Sequence, residues 1–286
     1  MRYKFGTVII ALMVWPVVIL SQVKRIDLPK NLYAFTFQED PTGKVWVGLS
    51  DGNTSGALGY VNDSSFVQVS GSDDLPNGSY HSSIRLADGS LMFGGNLVDQ
   101  HRNSFLAWVT SEKPDTIRIP YRLTNPFINS FALVNRHELW IGTGSGLVVN
   151  NRGKWSHFSV VNGLPDNFIT SIYQDFRGIV WIGSEVGIAF HQDNQIHRIP
   201  PGTRIISSVT QIFGDNRGYV WCGSRFTSEG ISVYNGGLWE TFSGRHGLVD
   251  NSSSIFFQAP DGLLWVGSCY NRSRGGVSVF YGHKWE

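Results

Sequence analysis

Three observations predict an all-β fold, a β-propeller of four-stranded blades. The first is a repeat. A run ending in a bulky residue, a small or β-branched partner and a glycine occurs six times: DPTGKVWVG (Asp40 to Gly48), DGSLMFG (Asp88 to Gly94), NRHELWIG (Asn135 to Gly142), DFRGIVWIG (Asp175 to Gly183), DNRGYVWCG (Asp215 to Gly223) and DGLLWVG (Asp261 to Gly267). Anchored on Trp46, Met92, Trp140, Trp181, Trp221 and Trp265, the copies step by 46, 48, 41, 40 and 44 residues, the period of a four-stranded blade. Second, short Val, Ile, Phe and Trp runs punctuated by Asp-x-x-Gly and Gly-Leu fill each period, and no helical periodicity runs through it. Third, the 286 residues include 33 glycines, well above the usual level of about 7%, as a chain of tight turns requires.

In chain order, Arg2 and Lys4 precede an apolar run from Phe5 to Leu20 that no blade could use. Residues 1–21 therefore read as an export signal, either a cleaved signal peptide or an uncleaved anchor, and the rest as a periplasmic or extracellular domain, 22–286. The next segment, Gln22 to Asn31, lines up with Gln195 to Arg204, the outermost strand and following loop of blade 4. An outermost strand thus arrives before blade 1 and is expected to complete a later blade. Blade 6 is cut off after Trp285, so the six repeats are expected to belong to a seven-bladed ring in a longer protein, closed by pairing first strand with last.

Blade 4 is the cleanest copy, with strands A to D at Ile169 to Gln174, Ile179 to Gly183, Gly187 to Phe190 and Ile196 to Ile199. Its Asp175 to Gly178 turn has a local cause. Aspartate can accept backbone amides two residues on, and glycine takes the positive φ of a tight hairpin. Asp175 and its equivalents are therefore structural. The strand B tryptophans fill the wedge between blades, where each can bury roughly 150–250 Å², worth about 4–6 kcal/mol as an upper bound; stacking on a substrate is the alternative reading. Met92 replaces the aromatic in blade 2, which makes that interface the most plastic.

Composition excludes several functions. The formal charge is +1, from 23 basic and 22 acidic residues, so no broad cationic face exists for nucleic acid. Cys222 and Cys269 form no disulfide framework; Cys222 reads as packing unless the two bridge. The eight histidines are scattered, with no His-Glu-x-x-His, Cys-x-x-Cys or nucleophile elbow. Gly142 to Gly146 resembles a phosphate loop, but a strand follows where a helix would have to start. No catalytic residue, metal ligand or cofactor is assigned.

The pattern Asp-x-x-Gly-x-x-Trp-x-Gly, then Gly-Leu or Gly-Ile with an aromatic, a Gly-Lys-Trp strand and a Gly-Leu-x-Asp-Asn loop resembles the two-component regulator propeller repeat. The resemblance covers Val23 to the end. It is clearest at Gly153 to Trp155, Asn162 to Asn167 and His246 to Asn251, and blades 1 and 2 are degenerate. It implies the periplasmic sensor of a hybrid histidine kinase or related signalling protein, often one that senses glycans. No transmitter, kinase core or receiver lies in these residues, and a longer parent chain could pair as a homodimer. A propeller enzyme, such as a lyase or glycosidase, and a protein-docking scaffold remain as rival readings.

A ligand position follows from loop lengths. From the strand B anchor to the residue opening strand C (Gly56, Ser104, Gly146, Gly187, Gly230, Gly276) takes 10, 12, 6, 6, 9 and 11 residues in blades 1 to 6. The excess sits in the B-to-C loops, which share one face with the D-to-A loops and fall on blades expected to be neighbours. These loops carry Asp51, Asn53, Asn96, His101, Arg102, Arg225, Glu229, Tyr270, Asn271, Arg272 and Arg274. Arginine forks and asparagine amides suit hydroxyls and carboxylates, and Tyr270 could stack on a sugar face. Asn96, His101, Arg102, Arg225, Tyr270, Asn271, Arg272 and Arg274 are the expected contacts to a polar small molecule or oligosaccharide.

Overall fold

The computed structural model describes residues 7–9, 25–52, 55–62, 65–71, 75, 77–96, 105–110, 113–200, 202–224, 229–253, 255–271 and 274–286. The chain is all-β. Among the described residues the only helical turns are two short 3-10 segments, Val160–Asn162 and Gly244–His246. It divides into two compact units, 1–128 and 129–286.

The first unit opens with β1 (Thr7–Ile9) and β2 (Arg25–Asp27). Blade 1 follows as β3 (Tyr33–Glu39), β4 (Val45–Ser50), β5 (Gly56–Asn62) and β6 (Ser65–Gln68). Blade 2 is β7 (Ser79–Arg85), β8 (Leu91–Asn96), β9 (Phe105–Val109) and β10 (Pro114–Arg118). Each blade is an antiparallel meander in chain order. Trp46, Leu58, Tyr80, Leu91 and Phe93 make the core of this unit.

One expectation is corrected here. β2 does not join a later blade: it lies along the outer edge of blade 1, parallel to β6 through Asp27 opposite Ser65, and antiparallel to β1. Outer strand β6 offers a row of backbone groups that a short strand can cap, and Ile26 is buried there.

The second unit holds four blades. Blade 3 is β11 (Ile128–Val134), β12 (Glu138–Thr143), β13 (Gly146–Asn151) and β14 (Lys154–Phe158). Blade 4 is β15 (Ile169–Gln174), β16 (Val180–Ser184), β17 (Gly187–Gln192) and β18 (Gln195–Arg198), within one or two residues of the sequence reading. Blade 5 is β19 (Gln211–Gly214), β20 (Val220–Gly223), β21 (Ile231–Tyr234) and β22 (Trp239–Phe242). Blade 6 has β23 (Ile255–Gln258), β24 (Leu264–Asn271) and β25 (Arg274–Phe280), with Trp285 bridged to Phe280 where a fourth strand would lie.

Each pair of adjacent blades in this unit buries its own apolar cluster, seeded by Trp140, Trp181 or Trp221. Their indoles are 3%, 3% and 0% exposed, which supports the packing reading of the repeat. The glycine after each tryptophan is explained by the neighbour: a Cβ on Gly183 would lie 2.8 Å from Val209 of the next blade. Cys222 is a free, fully buried thiol whose pKa burial raises, so it packs and does not bridge.

Candidate functional site

The turn aspartates do more than close hairpins. In blades 1, 4 and 5 the indole Nε1–H of Trp46, Trp181 and Trp221 donates to Oδ2 of Asp40, Asp175 and Asp215 at 3.0, 3.1 and 3.0 Å. The other oxygen accepts turn amides, for Asp175 those of Arg177 (2.9 Å) and Ile179 (3.0 Å). Arg177 then forks onto Asp175 Oδ2 through Nε at 3.1 Å and Nη2 at 2.8 Å, and Arg217 repeats this on Asp215 at 3.1 and 2.7 Å. A buried carboxylate is thus satisfied on every side. At Asp40, burial would raise the carboxyl pKa, but hydrogen bonds from Thr42, Trp46 and the Lys44 amide hold it below the ordinary value.

The same guanidinium reaches across to the following blade. Arg177 lies over Tyr234 at 5.5 Å and Arg217 over Phe280 at 5.6 Å. Strand register makes His191, Tyr234 and Phe280 equivalent, since they pair with Val180, Val220 and Leu264. Between blades 3 and 4 this arrangement changes. The turn Asn135-Arg136 takes positive φ at both residues (50° and 64°) and has asparagine where blades 1, 4 and 5 have the clasping aspartate. Trp140 Nε1 donates instead to Glu138 Oε2 at 3.2 Å, and Asn151 Nδ2 to Glu138 Oε1 at 2.8 Å. His191 meets Trp140 edge-on at 5.0 Å. A polar cleft of about 480 Å³ opens there, lined by Glu138, Trp140, Arg177, His191 and Asp193 among others. Burial lowers the His191 pKa, which Glu138 partly offsets and His197 reinforces.

A second cleft, about 390 Å³, lies between blades 4 and 5 and is lined by Trp181, Phe190, Tyr234, Leu238 and Trp239. It is aromatic, with Trp181 5.3 Å from Tyr234 and 5.8 Å from Trp239.

On the B-to-C loop side, His101, Arg102, Arg225 and Arg272 lie outside the described residues, as do the side chains of Tyr270, Asn271 and Arg274. Asn96 ends β8, opposite Ser79. Glu229 is already committed, its Oε2 accepting the Ser207 amide at 2.6 Å and hydroxyl at 3.0 Å. In blade 6 the expected loop is a longer hairpin: β24 and β25 stay paired out to Asn271 opposite Arg274, with an irregularity at Cys269. The extra residues extend the ladder, so strand C opens at Arg274 and not at Gly276. In blades 3 and 4 the short turns are tight, closed by Thr143 Oγ1 to the Gly146 carbonyl (2.7 Å) and Ser184 Oγ to the Gly187 carbonyl (2.9 Å).

The same side of the first unit holds a hydroxyl and imidazole cluster that sequence reasoning missed. Ser79 Oγ lies 2.5 Å from His81 Nε2 and 2.5 Å from Ser50 Oγ. His81 sits between Phe35 and Phe127, each 4.6 Å away. Both serines are 0% exposed, so neither hydroxyl can reach a substrate, and the cluster joins strand B of blade 1 to strand A of blade 2. Ser79 and His81 are neighbours on one strand, but Ser50 lies 29 residues before Ser79 and no motif links it to them. Among the described residues no group of three or more His, Cys, Asp or Glu could hold a metal ion.

Residues 163–185 match the family described as two component regulator propeller. None of the curated proteins matches the chain. Among solved structures, the extracellular domain of the hybrid two component system BT3049 from B. thetaiotaomicron aligns with a TM-score of 0.70 at 22% identity, over 90% of this chain and 34% of that one. PorZ, a surface component of the type-IX secretion system of Porphyromonas gingivalis, aligns with 0.64 at 16% identity over 86% and 38%. Virginiamycin B lyase from Staphylococcus aureus aligns with 0.65 at 12% identity over 90% and 84%. These likenesses show the β-propeller fold, and the chain spans about a third of the first relative.

Proposed function

We propose that this chain, a carrier of two component regulator propeller repeats, is the ligand-binding part of an exported sensor. It recognises a polar, carbohydrate-like ligand on the side that bears its B-to-C loops, and releases it unchanged. The observation that carries this reading is the repeat at residues 163–185, on a fold shared with extracellular domains of two-component systems. Enlarged B-to-C segments in blades 1, 2, 5 and 6 and the arginines at 102, 225, 272 and 274 fit a hydroxyl-rich or anionic ligand. Export is supported by the apolar run after Arg2 and Lys4; among the described residues no helix is long and apolar enough to cross a membrane.

The enzyme reading draws on the lyase that shares the fold, but fold carries no chemistry by itself. A glycan array probed with the chain, followed by product analysis of each hit, tests both. Binding without turnover, weakened by about 2–5 kcal/mol in the Arg225→Ala, Arg272→Ala double variant, is expected. Turnover would establish the enzyme, and binding indifferent to the double variant would remove this site.

A further inference from the structure

The three blade interfaces of the second unit are copies of one design, and one copy lacks a part. Trp181 meets Tyr234 and Trp239, and Trp221 meets Phe280 and Trp285, with ring centres 5.0 to 5.8 Å apart. In both, an arginine is forked onto the carboxylate that holds the indole and lies over the facing aromatic. Blade 1 has a basic group too, Lys44, 4.2 Å from the Tyr60 ring and 5.9 Å from Trp46.

At the interface of blades 3 and 4 the carboxylate and the indole are present, but among the described residues no arginine is forked onto that carboxylate. Glu138 holds Trp140, and His191 and Ile196 stand where the other copies have an aromatic residue and a tryptophan. Arg136 sits exposed in the turn. The space left is the cleft of about 480 Å³. Its charged lining is uneven: Glu138 and the exposed Asp193 are acidic and Arg177 is neutralised by Asp175 at 2.8 Å; His137, outside the lining, comes within 3.9 Å of Glu138.

The geometry points to this cleft as a binding site for a guanidinium group supplied from outside, taking the place that Arg177 and Arg217 fill in the neighbouring copies. The planar fork would pair with Glu138 and lie against the Trp140 and His191 rings, as Arg217 pairs with Asp215 and lies over Phe280. The site is independent of the loop-side ligand proposed above. A guanidinium can arrive on a free small molecule or on an arginyl side chain of a polypeptide, and the two sources are separable.

The test titrates the full chain with ethylguanidinium and with a capped Gly-Arg-Gly peptide, using tryptophan fluorescence and calorimetry, and with the citrulline peptide as the uncharged control. Saturable binding at millimolar concentration is expected, as for a partly exposed ion pair. Glu138→Gln should weaken it about tenfold or more. Because Glu138 also holds Trp140 and Asn151, His137→Arg is the second variant: it places a guanidinium beside Glu138 from within the chain, and should abolish binding while the protein stays folded. Binding of both probes assigns a small-molecule source; binding of the arginyl peptide alone assigns a polypeptide. Absence of saturable binding, equal binding of the citrulline peptide, or binding untouched in the folded His137→Arg variant would overturn the assignment.

Discussion

Trp221 meets Phe280 of the following blade edge-on with ring centres 5.0 Å apart, and Trp181 meets Tyr234 in a tilted contact at 5.3 Å. The strand B tryptophan is therefore covered by the next blade along. Trp265 occupies the same register position in blade 6, opposite Phe257 and Val279, yet it is 39% exposed, beside exposed Ile255, Phe257 and Val277.

This contrast sets the first prediction. Trp181→Ala should cost about 3–5 kcal/mol, the usual penalty for emptying a buried aromatic site. Trp265→Ala should cost about 1 kcal/mol or less, because much of its ring already meets water. Urea denaturation of the two variants checks this. Equal losses would mean that blade 6 is covered in solution.

The second prediction concerns the carboxylate that clasps the indole. Asp175→Ala removes the acceptor for Trp181 Nε1, two turn amides and Arg177 at once, and should cost about 3 kcal/mol. Asp261 accepts the Leu263 amide at 3.0 Å and is exposed, so Asp261→Ala should stay within about 0.5 kcal/mol. Comparable losses in the two would refute the distinction between clasping and plain turn aspartates.

That distinction marks how far the sequence could be read. Strand order and the turn role of Asp175 follow from periodicity and Asx chemistry, which are local. The clasp is legible only in spacing: six residues separate aspartate and tryptophan in blades 1, 4 and 5, whereas Asn135 precedes Trp140 by five and Asp261 precedes Trp265 by four. The blade 6 hairpin departs from the expected loop because length alone does not tell an extended ladder from a loop. The edge position of β2 depends on a free strand edge elsewhere, which no local pattern encodes. The polar cleft at Glu138 and His191 joins residues of two blades, and neither carries a motif.

A third prediction follows from Asp40. Its carboxyl is held below the ordinary value by hydrogen bonds in the folded chain and returns to about 4 on unfolding. The folded state therefore gains stability from it above about pH 4 and loses that gain as pH falls through the lower folded pKa. The stability difference between the wild type and Asp40→Asn should be constant from neutral pH to about pH 5 and shrink below that. A difference that grows on acidification would contradict the assigned direction.

The last prediction concerns a clamp between blades that appears at two interfaces and not at the third. Gln258 Oε1 accepts the Asn216 amide at 2.7 Å and its Nε2 donates to Asn216 Oδ1 at 2.9 Å; Gln174 grips Asn135 in the same way at 2.9 and 3.0 Å. In blade 5 the equivalent position, opposite Val220, is Gly214. There the ring of Tyr173 lies so close that a Cβ would sit 1.8 Å from its hydroxyl oxygen. Blades 4 and 5 are thus held by a tyrosine laid over a glycine instead of an amide pair. Gln258→Ala should cost only about 1 kcal/mol, since the bonds it removes are exposed to water. Gly214→Ala should cost more, about 1–3 kcal/mol, because Tyr173 must shift within a packed interface. Restoring space with Tyr173→Phe in the Gly214→Ala background should recover part of that loss, read as a rise in the denaturation midpoint. A double variant no more stable than Gly214→Ala would show that the tyrosine hydroxyl is not what the glycine accommodates.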